Sequence, residues 1–162
     1  MTRLLRATFV AFLITFGFGV ISHSDDFTSI EGTYVLESRE LADGTVLTPP
    51  AVAGLYTLSG GNMNLNRAVQ DKDGKITSRS AIGSYKISGP MYTLELSYTA
   101  ENDGSGVKYD FTKRSGSTQM VMTDISVEMK IPLTDNLYGA YSRDSFTAMS
   151  KGNYIDKWVR VK

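Results

Sequence analysis

The sequence contains no cysteine, one histidine and one tryptophan. The missing cysteine excludes disulfides, thiol nucleophiles, thiolate metal sites and a lipid-modified cysteine, so stability has to come from packing and sheet closure. The lone His23 stands near the start of the chain. It leaves the remainder without the imidazole of a Ser-His-Asp triad or a His-ligated metal, and no metal or cofactor is expected. Charge of either sign is not in excess, with 17 basic and 17 acidic residues, so nothing attracts nucleic acid. No Asn-x-Ser/Thr sequon occurs, which favours a bacterial envelope over a glycosylating secretory pathway.

One apolar run is present. Arg3 and Arg6 precede Ala7 to Ile21, which carries no charge and is followed by Ser22 and Ser24. The run is shorter than the ~20 residues of a spanning helix, and the pattern is that of a secretory signal peptide over residues 1–24. The chain is therefore expected to be exported, periplasmic or secreted, and to meet a membrane only through this segment. Residues 25–162 then form one domain. Four of the seven phenylalanines leave with the signal, while all nine tyrosines remain.

The clearest pattern in the rest is a hairpin from Met91 to Phe111. Tyr92, Leu94, Leu96 and Tyr98 alternate with polar residues, and so do Val107, Tyr109 and Phe111 beyond a Gly-rich turn. Strict alternation predicts one apolar face, which must close on itself or meet another layer. Further strands are predicted from Gly32 to Arg39, Gly54 to Ser59, Met63 to Val69, Ile76 to Ser88, Thr118 to Thr123, Ile125 to Ile131 and Tyr154 to Val161. Glu40 to Ala53 reads as a long loop and Leu133 to Tyr141 as irregular. Ser142 to Lys151 reads as a short helix of about two turns, stopped by Gly152. The phase of alternation changes near Ile82-Gly83, which marks a bulge or a bend. The expected fold is all-β: a single antiparallel up-and-down barrel of eight or nine strands with one short helix before the last strand.

Gly32-Thr-Tyr34 at the head of the first strand, the proline-containing loop after it, and Tyr154-Ile-Asp-Lys-Trp-Val-Arg160 at the end resemble a lipocalin-like domain of the calycin superfamily. Tyr34 replaces the tryptophan of the family's Gly-x-Trp, and the family's Thr-Asp-Tyr element and disulfide have no counterpart. The resemblance implies a barrel closed at one end, where Tyr34 would pack near Trp158 and Arg160, and open at the other to small apolar molecules.

Candidate ligand-binding residues are accordingly Tyr92, Leu94, Leu96, Tyr98, Tyr109 and Phe111, whose shared face would line the lumen with apolar groups and hydroxyl tips. Asn64 and Asn66 join them, since three asparagines on one strand face are unusual and would suit a polar ligand head. The plainer reading of the same asparagines is that they face water while Met63 and Leu65 pack inward. Glu95 and Asp110 lie on the polar face of the hairpin, and Asp71-x-Asp73-Gly74 has ordinary turn chemistry without the further ligands of a calcium loop. The expected function is a non-catalytic module holding a small hydrophobic ligand. Two alternatives stand: an interaction domain with a side-chain-filled core, and a cofactor-free isomerase or cyclase of calycin type.

Overall fold

A computed structural model describes residues 29–162, so the signal peptide expected over residues 1–24 lies outside the described residues. Thirteen strands follow in order: β1 (Gly32–Leu41), β2 (Val46–Leu47), β3 (Val52–Ser59), β4 (Asn62–Gln70), β5 (Ile76–Ser88), β6 (Met91–Asn102), β7 (Val107–Asp110), β8 (Arg114–Gln119), β9 (Val121–Met122), β10 (Ser126–Lys130), β11 (Leu137–Ser142), β12 (Ser145–Ser150) and β13 (Tyr154–Arg160). They make one antiparallel sheet in the order β7-β6-β5-β4-β3-β1-β13-β12-β11-β10-β9, which curls into a half-barrel. β2 pairs with β1, and β8 pairs with β6. Because β8 bonds to β6 while β9 bonds to β10, and Met120 alone separates them, residues 114–122 run between the two flanks of the curl.

The short helix expected before the last strand is absent. Ser142 to Lys151 instead completes β11 and forms β12, with Phe146 and Ala148 buried between the less buried Ser145, Thr147 and Met149. Period two, satisfied by ladders to β11 and β13, prevails over the helical cap signals. Ser142, where that helix would start, instead meets Ser145 across the hairpin turn at 2.6 Å between hydroxyls. The strand count exceeds eight or nine because residues 107–122 split into three pieces and because both presumed loops contain strands, β2 and β11. Among the described residues no helix is long and apolar enough to cross a membrane.

Two bulges set which side chains enter the curl. In β1 the register moves from Leu36↔Trp158 to Ser38↔Lys157, leaving Glu37 as the extra residue, so Leu36 and Arg39 both face inward. In β6 it moves from Leu96↔Gly83 to Tyr98↔Ile82, leaving Ser97 extra. Tyr92, Leu94 and Leu96 are therefore buried before the bulge and Thr99 after it. A one-residue slip turns every later side chain to the opposite face.

The core is aromatic. Tyr34, Tyr56, Tyr141, Phe146 and Trp158 interlock, with Tyr141 and Phe146 stacked at 4.3 Å between ring centroids. The Tyr56 and Tyr141 hydroxyls lie 3.1 Å apart and satisfy each other. Tyr34 donates to the Ile30 carbonyl at 2.9 Å and accepts from Arg160 Nη2 at 2.7 Å, which ties the start of β1 to the end of β13. A Cβ on Gly32 would sit 3.3 Å from Arg160 Nε, a close approach that glycine leaves open.

Candidate functional site

Within the curl lies a cavity of about 90 Å³. That is room for several waters or a small organic group. Its middle is apolar: Met63 and Leu65 of β4, Ala81 of β5, Leu94 and Leu96 of β6 and Trp158 of β13 line it. Tyr56, Tyr92 and Phe146 stand at its aromatic end. Arg67, Arg79, Tyr154 and Asp156 also belong to the lining. Register explains this layer, since Arg67 lies opposite Arg79, one inward step beyond Leu65 and Ala81. Asp156 lies one inward step before Trp158 on β13.

The charges are connected. Asp156 is fully buried and takes two bonds from Arg39, Nε to Oδ1 at 2.6 Å and Nη2 to Oδ2 at 2.8 Å. Arg67 Nη1 adds a bond to Oδ2 at 2.8 Å and reaches the Tyr154 hydroxyl at 3.3 Å. The Arg39 guanidinium lies 3.7 Å from the centre of the Tyr154 ring. Burial pulls the Arg67 pKa down, yet Tyr154 and Asp156 together outweigh it and hold it above its ordinary value. Two cations on one carboxylate satisfy the buried anion and leave the cluster with a positive balance. Nothing in it resembles a nucleophile with an adjacent base.

The tyrosines behind this layer titrate high. Burial pushes Tyr56, Tyr92 and Tyr141 well above the usual phenol value. Burial and then the hydrogen bond to Glu31 push Tyr85 up to about 12. At neutral pH all four are neutral groups.

The residues singled out from the sequence separate into two sets. Tyr92, Leu94 and Leu96 line the cavity. Tyr98, Tyr109 and Phe111 do not, and the expectation that one unbroken face carries all six is corrected by the Ser97 bulge. Beyond it Tyr98 turns outward and packs on Phe111, at 5.1 Å between centroids, while Tyr109 pairs with Ala100 on the same outer side. Tyr109 and Phe111 are 65% and 73% exposed. Asn64 and Asn66 are exposed too, with the Asn66 amide donating to Asn64 Oδ1 at 2.8 Å, so the structure also places them away from the cavity. Asp71 accepts from the backbone N–H groups of Asp73 and Lys75, the geometry of a turn. Among the described residues no group of three or more His, Cys, Asp or Glu side chains is placed to hold a metal.

The charged layer was not singled out from the sequence. Its signal was there in Tyr154-x-Asp156-x-Trp158, which places an aspartate on the face of the buried tryptophan, and in Met63-x-Leu65-x-Arg67. Arg39 gave no such signal, because only the Glu37 bulge turns it inward.

No family model and no curated protein matches the chain. Among solved structures, the crystal structure of a lipocalin-like protein from Bacteroides uniformis is similar over 81% of this chain and 97% of that one, at 16% identity and a TM-score of 0.36. So loose a superposition speaks to neither ligand nor residue roles.

Proposed function

We propose that the protein is an exported, non-catalytic binding module that takes a small hydrophobic molecule into the cavity of its curled sheet. The observation that carries this reading is the cavity, lined by Leu65, Ala81, Leu94, Leu96 and Trp158 and not filled by them. Pockets that bind small molecules combine such an apolar wall with a few placed polar groups, here Arg67, Arg79 and Tyr154. Export is supported by Arg3 and Arg6 ahead of the uncharged run Ala7 to Ile21.

Trp158 is the only tryptophan and lies in the wall, so its fluorescence reports on occupancy. Titration with an uncharged apolar probe such as N-phenyl-1-naphthylamine should give saturable quenching of Trp158 emission, and native mass spectrometry should show a co-purified or added small molecule. Absence of both would replace this reading with that of a packed interaction domain. The large exposed apolar groups at the two ends of the strand path, Tyr109 and Phe111 on one side and Val121 and Ile125 on the other, favour that alternative.

A further inference from the structure

The charged layer of the cavity is unbalanced in a way that specifies the ligand's polar end. Arg39, Arg67 and Arg79 face two anions, Asp156 and Glu101, and the register sets Arg67 directly opposite Arg79. Opposed like charges on one sheet face are unfavourable unless something sits between or beside them. Asp156 does not serve both, since the three bonds its oxygens accept come from Arg39 and Arg67 and none from Arg79. Glu101 is a poor partner: its side chain is 55% exposed, and its Oε1 lies 3.3 Å from Arg79 Nε without hydrogen-bond geometry.

The unmet polar groups all have the same sense. Among the described residues, the buried side-chain polar atoms without a hydrogen-bond partner are Arg79 Nε, Trp158 Nε1 and Arg160 Nε, every one an N–H donor. Two of these residues, Arg79 and Trp158, line the cavity. A buried donor left unpaired is costly, and a wall with spare donors and surplus positive charge is complementary to an anionic acceptor. The middle of the same cavity offers an apolar wall, with Leu65, Ala81, Leu94 and Leu96 at its centre.

We propose that the ligand is a small amphiphilic anion, its apolar body among Leu65, Leu94 and Leu96 and its carboxylate beside Arg79 and Arg67. This rests on the binding-module reading and narrows it from hydrophobic molecules in general to those with an anionic head. Arg79 is the discriminating residue, since Arg67 is committed to Asp156 and Tyr154.

The test compares octanoate with octan-1-ol, which share a chain and differ in the head, by Trp158 quenching and calorimetry on the purified protein near neutral pH. Octanoate should bind at least about tenfold more tightly than the alcohol, the range of one charge-assisted hydrogen bond. Arg79→Met should remove most of that preference, octanoate losing far more affinity than octan-1-ol, and Arg79→Lys should keep part of it. The wild-type comparison stands even if a variant folds poorly. Equal or tighter binding of the alcohol to wild type, or equal loss of both probes in Arg79→Met, overturns the anionic head and leaves the binding module standing. Failure of both probes to bind removes the module and this inference together.

Discussion

Arg39 and Asp156 meet at two points, 2.6 and 2.8 Å, with side-chain exposures of 8% and 0%. They meet because Glu37 is extra in β1, a local irregularity that brings the first and last long strands into a charged contact. Removing one member of a buried pair costs about 3 to 5 kcal/mol, chiefly by leaving the other charge uncompensated. Arg39→Met is expected to lose stability in that range by urea denaturation. The double variant Arg39→Met with Asp156→Leu should be more destabilised than Arg39→Met alone, because it also leaves the largely buried Arg67 without its carboxylate. A loss under about 1 kcal/mol in the single variant would show that Arg67 alone suffices for the carboxylate.

The buried phenols predict an alkaline limit. Burial raises the folded-state pKa of Tyr56, Tyr92 and Tyr141 above the ordinary 10.0. Unfolded tyrosines release protons near that value while the folded ones keep theirs, so the folded state binds more protons and stability falls as pH rises. The contribution is whole below about pH 10 and declines above it by about 1.4 kcal/mol per pH unit for each tyrosine still protonated. Melting temperatures should be flat from about pH 8 to 9.5 and then drop, with a shallower drop in Tyr141→Phe. A melting temperature unchanged at about pH 11 would contradict the burial of these hydroxyls.

The Ser97 bulge separates two residues that the sequence places on one face. Leu96 is 4% exposed and Phe111 is 73% exposed. Leu96→Ala should therefore cost about 2 to 5 kcal/mol, whereas Phe111→Ala should cost less than about 1 kcal/mol. Comparable losses in the two variants would mean that the alternation runs through the bulge unbroken.

Gly54 lies against the indole of Trp158. A Cβ there would come within 2.8 Å of Trp158 Cη2 and 3.1 Å of Leu36 Cβ. Gly54→Ala should cost about 1 to 3 kcal/mol by overpacking and should shift the Trp158 emission, because the ring has to move within the cavity wall. Wild-type stability together with an unchanged spectrum would sink the proposed close approach.

Period-two alternation made most of the strands legible, and it placed Tyr92, Leu94 and Leu96 in the wall. What it could not carry was phase across a bulge. The slip near Ile82-Gly83 was visible in the sequence, but the extra residue proved to be Ser97 on the partner strand, and that decides where Tyr98, Tyr109 and Phe111 point. Glu37 acts in the same way on Arg39. Ser142 to Lys151 has a helical signature in the sequence because Ser and Asp suit helix caps and strand turns alike, and only the neighbouring strands resolve the difference. The inward charges of Arg67 and Asp156 are not readily legible in the sequence because isolated charges normally face water, and their partners are far apart in sequence.

The segment from Arg114 to Met122, which bonds first to β6 and then to β10, also bears on self-association. The strands that end the sheet path, β7 and β9, are four and two residues long. Such short ends expose few unpaired backbone groups and make a poor template for a strand from a second molecule. In a chain with no disulfide to restrain it, resistance to fibrous aggregation therefore depends on this one segment holding both flanks, so weakening it would show first as turbidity on storage and only later as a lower melting temperature.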